Sequence, residues 1–218
     1  MIAIIDYEAG NLTSVQRAVS HLGAPCRVSS RVEDILAAER VIFPGVGAAG
    51  SAMASLVRLG LDRALREVLA SGRPVLGICL GTQIILEYSQ EDDTTCLGLL
   101  PGRTVRFPQD HRDQEGRPLK VPHMGWNKVT WRRKHPVFAG LAPEAEFYFV
   151  HSYHPAPARP EHVVGTTEYG YRFDSVMARG NLAAMQFHPE KSGRPGLKIL
   201  ENFIRWDGKW SAGEEDHA

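Results

Sequence analysis

Three residues of this chain have the types and spacing of a nucleophile, its base and an orienting acid: Cys79, His188 and Glu190. Cys79 stands in Gly77-Ile78-Cys79-Leu80-Gly81, where an apolar run of strand length, residues 75–78, gives way to a helical pattern. Small residues two positions either side of a nucleophile mark a sharp strand-to-helix turn, because bulkier ones would collide with the adjacent strand and helix. The turn exposes the thiol at a helix start, where unpaired N–H groups and the helix dipole favour the thiolate. The chemistry on offer is attack on an acyl carbon, with the backbone N–H of Leu80 aimed at the developing oxyanion. A cysteine in a tight glycine-rich turn with no chemistry is the bland alternative, and Gly-x-Cys-x-Gly alone leaves it open.

Such a thiolate needs a base within hydrogen-bond reach, and the base needs an acid to orient it. Most of the nine histidines have ordinary settings: His21 in a helical pattern, His111 and His135 in polar loops, His217 in the tail. His188 differs. It follows an apolar strand in Gln186-Phe187-His188-Pro189-Glu190-Lys191-Ser192. Pro189 is expected to hold the chain extended, so that Glu190 projects to the side of His188 and supports its imidazole. The third piece is Phe43-Pro44-Gly45-Val46-Gly47-Ala48-Ala49-Gly50. It lacks the Lys-Ser/Thr of a phosphate-binding loop and the spacing of a dinucleotide fingerprint. Its glycines suit a donor loop beside Cys79, in which Val46 or Gly47 supplies a second oxyanion N–H after a peptide flip.

The elements that must carry these pieces alternate in the first half. Apolar runs at 2–5, 41–43 and 75–78 have strand length, and helical stripes run through Leu12, Val15, Val19 and Leu22 and through Leu61, Ala64, Leu65, Val68 and Leu69. That alternation predicts an α/β fold, a mostly parallel central sheet with flanking helices. After Gly81, short strands at 104–107, 120–131, 146–150, 163–168, 175–178 and 182–186 read as antiparallel additions in the second half. Residues 109–118 read as a solvated loop and 195–206 as a last helix. With no repeat or linker, residues 1–208 are expected to form a single domain, and 209–218 a frayed C-terminal tail.

Composition narrows the setting. The 218 residues are 43% hydrophobic and 23% charged with a formal net charge of zero, which favours neither nucleic acid nor an anionic membrane. No apolar stretch approaches the roughly 18 residues of a membrane span, and the N-terminus lacks a basic n-region. Cys26, Cys79 and Cys96 have no metal-like spacing, so reduced thiols in the cytoplasm are expected, with no metal and no other cofactor.

In chain order, Pro44-Gly45-Val46-Gly47, Gly77-Ile78-Cys79-Leu80-Gly81-Thr82-Gln83 and Phe187-His188-Pro189-Glu190 resemble the class I (triad) glutamine amidotransferases. Further strings narrow the resemblance to those members that serve histidine biosynthesis. They include Ile5-Asp6-Tyr7, Gly10-Asn11-Leu12, Leu99-Leu100-Pro101-Gly102, Pro122-His123-Met124-Gly125-Trp126-Asn127 and Tyr148-Phe149-Val150-His151-Ser152-Tyr153, over a span from residue 1 to about residue 206. Two features depart from the family pattern. Glu8 stands where the family has a glycine, at a position expected to need positive φ, and the charged segment 109–118 is longer than usual.

The resemblance implies that Cys79 attacks the side-chain amide of glutamine, that His188 transfers the protons and that Glu190 orients it. It implies an oxyanion hole from Val46, Gly47 and Leu80, and a glutamine site from Gly45, Gln83, His151, Ser152 and Tyr153. The ammonia would pass to a (β/α)8-barrel cyclase held in a heterodimer, with Asn11, His123, Trp126, Tyr148 and Lys191 facing that partner. Two other enzyme readings remain, another glutaminase of the class and a hydrolase acting alone on γ-glutamyl peptides. A non-catalytic subunit that keeps the fold is the third alternative, and it would have no need of Cys79, His188 and Glu190, all of which are present.

Overall fold

The computed structural model describes residues 1–8, 10 and 12–212. In its first half, β1 (Ile2–Ile5), α1 (Leu12–His21), β2 (Cys26–Ser29), α2 (Val32–Ala37), β3 (Arg40–Phe43), α3 (Ala49–Leu59), α4 (Leu61–Ala70), β4 (Val75–Ile78) and α5 (Leu80–Ile84) alternate along the chain. The second half is mostly strand: β5 (Tyr88–Ser89), β6 (Thr94–Thr95), β7 (Gly102–Arg106), β8 (His123–Lys128), β9 (Thr130–Trp131), β10 (Glu146–His151), β11 (Tyr153–Pro157), β12 (Val163–Tyr169), β13 (Tyr171–Arg179) and β14 (Leu182–Met185) precede α6 (Gly193–Arg205).

The main sheet has eight strands in the order β2-β1-β3-β4-β14-β13-β12-β9. Pairings from β2 through β14 are parallel, and those from β14 through β9 are antiparallel. This is the expected α/β fold with antiparallel strands added in the second half. Each central strand divides its side chains between two cores, as a period of two demands. On β1, Ile2 and Ile4 join the core under α1 and α6, whereas Ala3 and Ile5 join the core under α2, α3 and α4. A two-stranded ribbon, β8 with β10, and a four-stranded sheet, β11-β7-β5-β6, stand beside the main sheet.

Several elements differ from the sequence expectation. β2 escaped it because an edge strand is only half buried and carries no apolar run. α3 begins inside the glycine-rich segment, with Ala49 and Gly50 already helical. The run 120–131 divides into β8 and β9, and the last helix begins at Gly193, two residues before Pro195. Residues 209–212 of the expected tail are docked. The Trp210 indole donates to the Lys134 carbonyl at 2.9 Å, and Arg133 donates to the Ala212 carbonyl at 3.0 Å. Residues 213–218 lie outside the described residues. His111 and His135, expected in polar loops, are both buried against aromatic rings. Their polar neighbours in sequence concealed that packing.

Candidate active site

The carboxyl ends of parallel strands are where an open α/β sheet builds ligand sites, because loops from neighbouring strands meet there. Here β1 delivers Tyr7, β3 delivers Gly45–Gly47, β4 delivers Cys79, and β14 leads through Gln186 to His188. A cavity of about 300 Å³ opens among them, lined by Val46, Gly47, Cys79, Leu80, Gln83, Glu91, Pro122, Val150, His151, Ser152, Tyr153 and His188. Nine of the predicted site residues thus share one cavity wall; Gly45 lies behind it and Glu190 behind His188.

Cys79 adopts φ 53° and ψ −110°, a conformation rare for a residue with a side chain and one that costs on the order of 1–3 kcal/mol. The neighbouring strand holds it there. The Met185 carbonyl accepts from the Cys79 N–H at 2.9 Å and from the Thr82 hydroxyl at 2.5 Å. The second glycine of the elbow is required by a close approach, since a Cβ on Gly81 would overlap the Phe43 carbonyl oxygen. Gly45 is required in the same way, since a Cβ there would overlap the Tyr7 hydroxyl.

His188 Nδ1 donates to Glu190 Oε1 at 2.7 Å, and both side chains are buried. The link is made differently from the expectation. Pro189–Lys191 form a single 3₁₀ turn, not an extended segment, and the turn brings the carboxylate back onto the ring. Nε2 of His188 is buried without a hydrogen bond of ordinary geometry, and it faces the Cys79 sulfur. Burial alone would push the imidazole pKa down, but the Cys79 sulfur and the Glu190 carboxylate outweigh it and raise it. The arrangement therefore favours the protonated imidazole at His188.

The N–H groups expected to serve as oxyanion donors are not brought together in this structure. The Leu80 N–H donates to the Gly45 carbonyl at 3.3 Å, so that oxygen occupies the direction an oxyanion would need. On the substrate side, Gln83 Nε2 donates to the Tyr153 carbonyl at 2.8 Å and to Gln186 Oε1 at 3.0 Å. A directed chain reaches the same carbonyl from β8. Asn127 Nδ2 donates to His123 Nε2 at 3.3 Å, His123 Nδ1 to His151 Nε2 at 3.0 Å, and His151 Nδ1 to the Tyr153 carbonyl at 2.8 Å. The direction follows from the carbonyl, which only accepts and so fixes one histidine tautomer after another. Burial lowers the pKa of both His123 and His151, which keeps the rings neutral as this chain requires.

Of the residues expected to face a partner, three form one patch. Trp126 and Tyr148 are paired across β8 and β10 with ring centroids 6.0 Å apart, and Lys191 Nζ lies 5.9 Å from the Tyr148 centroid. Trp126 is 55% exposed and its neighbour Met124 62%. The Ser192 hydroxyl ties the patch to His188, accepting from the Tyr148 N–H and donating to the His188 carbonyl. His123 is a correction. It is 3% exposed and stacked on Tyr169, because side chains alternate along β8 and residues three apart face opposite ways. Asn11 lies outside the described residues.

Three neighbours of the site were missed from the sequence. Glu91 lines the cavity and accepts the Ala49 N–H at 2.8 Å; nothing in its short turn singles it out. Tyr7 places an unpaired, buried hydroxyl against Gly45, and its pKa is raised by burial and by Cys79. Gln186 touches the Cys79 sulfur; the pairing of β14 beside β4 is the signal that would have found it.

The family model described as glutamine amidotransferase class-I matches residues 3–206. Two relatives named imidazole glycerol phosphate synthase subunit HisH were found in Nitratidesulfovibrio vulgaris strain DP4 and in Methylococcus capsulatus strain Bath. The first is 55% identical, covering 94% of this chain and 96% of the relative; the second is 48% identical, covering 97% and 98%. Among solved structures, that of PurLQS from Thermotoga maritima aligns with a TM-score of 0.71 at 15% identity, over 94% of this chain and 97% of the other, which supports the fold alone. The chain belongs to the class I glutamine amidotransferases and, within them, to the glutaminase subunits of imidazole glycerol phosphate synthase.

Proposed function

We propose that Cys79 is the nucleophile, His188 the proton carrier and Glu190 the orienting acid of glutamine hydrolysis. The observation that carries the assignment is the alignment of a strained cysteine, a buried imidazole and a buried carboxylate at the cavity wall. The thiolate adds to the amide carbon of the glutamine side chain, and the carbonyl electron pair moves onto oxygen. The Gly45–Val46 peptide turns over, which frees the Leu80 N–H and brings the Val46 N–H to the same oxyanion, with Gly47 allowing the turn. His188 gives its Nε2 proton to the departing nitrogen; the C–N bond breaks, ammonia leaves and a glutamyl thioester remains. Water then attacks the thioester while His188 takes its proton, the C–S bond breaks, and glutamate and the thiolate are released.

Gln83, His151, Ser152, Tyr153 and the backbone at Gly45 hold the amino-acid substrate. Glu91, the carboxylate that lines the cavity, receives the α-ammonium group. The catalytic unit is a single domain over residues 1–208. It acts in the cytoplasm, and none of the described helices is long and apolar enough to cross a membrane.

Ammonia released into neutral water is protonated and loses its nucleophilicity, so a partner must receive it directly. That partner is the (β/α)8-barrel cyclase subunit of imidazole glycerol phosphate synthase, bound as a heterodimer. It converts the ribulosyl phosphate intermediate PRFAR to imidazole glycerol phosphate and AICAR. Met124, Trp126, Tyr148 and Lys191, beside the cavity mouth, provide the docking surface. The test is glutamate release from glutamine by the chain alone and with its cyclase plus a PRFAR-like ligand. Near silence alone and a large rise in the complex are expected. Brisk hydrolysis alone, unchanged by the cyclase, would overturn the partnership.

A further inference from the structure

Gln186 is fully buried immediately beyond β14, and it does not line the cavity. A buried carboxamide is costly unless its donors and acceptor are matched, and an apolar side chain of the same shape would avoid that cost. Its position follows from register: β14 runs parallel to β4 with Met185 opposite Ile78, so the next residue, Gln186, comes beside Cys79.

The orientation of its amide follows from one fixed acceptor. The Tyr153 carbonyl can only accept, so the end of Gln83 that lies 2.8 Å from it is the nitrogen. The second hydrogen of that nitrogen goes to Gln186 at 3.0 Å, so the Gln186 atom there is the oxygen. The opposite end of the carboxamide is then the NH2 group, and it points at Cys79 Sγ from 3.7 Å. Among the described residues, the titratable groups that face this sulfur are His188, from beyond β14, and Tyr7, from the end of β1. Gln186 adds a neutral donor from the neighbouring strand.

We propose that Gln186 holds the reacting sulfur. Its Nε2–H donates to the Cys79 thiolate, fixes the direction of the sulfur and favours the anion, while its Oε1 locks this donor to Gln83. With His188 Nε2 facing the sulfur on one side and Gln186 donating on another, the sulfur keeps a free lone pair for the substrate carbon. The inference rests on the reading of Cys79 as the nucleophile.

The experiment is alkylation of the full-length chain by iodoacetamide as a function of pH, read by peptide mass at each cysteine. Gln186→Met and Gln186→Glu are compared with the wild type, and thermal melts verify folding. Cys79 should react about 10-fold more slowly at pH 7 in the Met variant, and more slowly still in the Glu variant, where a carboxylate replaces the donor. The pH midpoint of Cys79 alkylation should rise by about one unit, with Cys26 unchanged. A wild-type measurement covers variants that fail to fold. The side-chain NH2 resonances of Gln186 should titrate with the same midpoint as Cys79 alkylation. Folded variants whose Cys79 profile superimposes on the wild type, or NH2 resonances that stay flat through the titration, would overturn the proposal. Wild-type Cys79 no more reactive than Cys26 and Cys96 would overturn the nucleophile assignment and this proposal together, which separates the two failures.

Discussion

At Glu190, a single carboxylate oxygen 2.7 Å from His188 Nδ1 decides which ring nitrogen works. Because Nδ1 is committed to Oε1, Nε2 is the position that gains and loses the proton beside Cys79. The carboxylate also offsets the burial that would otherwise discharge the imidazolium. Replacement by glutamine keeps the shape and removes the charge. The neutral carboxamide can also turn its NH2 toward Nδ1 and select the wrong tautomer. For Glu190→Gln we expect kcat of the activated complex to fall on the order of 10²-fold, with KM for glutamine within about threefold. Steady-state glutaminase assays check this. An unchanged kcat would reduce Glu190 to a packing residue. Glu8 shows another residue-scale constraint: it adopts the anticipated positive φ, 70°, and its carboxylate is bound by Arg58 and Ser55 of α3.

At the scale of elements, the site depends on how closely α5 lies against the end of β3. Gly81 sets that approach, and Gly81→Ala would push the first turn of α5 away from the Phe43 carbonyl. The displaced turn carries Leu80 and Gln83, so both the proposed oxyanion donor and the proposed substrate contact move with it. Overpacking of this kind costs about 1–3 kcal/mol, or several degrees in Tm for a chain of this size. We expect that loss of Tm together with at least a 10-fold loss of glutaminase rate; calorimetry and the assay on one sample check it. A wild-type rate would mean that α5 tolerates the shift. The same closeness explains what was legible in the sequence. β1, β3 and β4 are buried on both faces and read as unbroken apolar runs, and the elbow glycines announced the turn after β4. α3 was hidden because Ala, Gly and Ser dominate its start, and β11 because Pro155 and Pro157 lie inside it. The meeting of Cys79, His188 and Glu190 could be anticipated because the proposed chemistry constrains their neighbours in sequence. Gln186, Tyr7 and Glu91 could not, because only strand order and a distant turn bring them to the cysteine.

Over the whole molecule, the buried histidines set how the fold responds to acid. His123, His135, His151 and His154 are each buried in aromatic surroundings. Burial is the leading cause of depression in all four, taking His123 and His154 to about 4, His135 to about 3, and His151 well below its ordinary value. In the unfolded chain the same rings titrate near 6.5. Between that pH and about 4 the unfolded chain therefore binds more protons than the folded one, so stability falls as pH falls. The contribution is fully present above 6.5 and is lost toward the folded-state values. His188 has the opposite sign: its raised pKa contributes stability below 6.5 that is lost only as alkaline pH passes its folded value. His162 is lowered by burial in the same sense, whereas Glu91 and Asp174 are raised by burial and oppose it, so the several depressed rings leave a net acid edge. Each depressed ring is worth up to about 1.4 kcal/mol per pH unit, so by pH 5 the four remove several kcal/mol from a typical total of about 5–15. Urea unfolding of the chain at pH 7, 6 and 5 should show ΔG falling steeply, with a slope equivalent to uptake of more than two protons on unfolding. A flat profile over that range would mean that the four rings are already protonated, or reached by water, in the folded state.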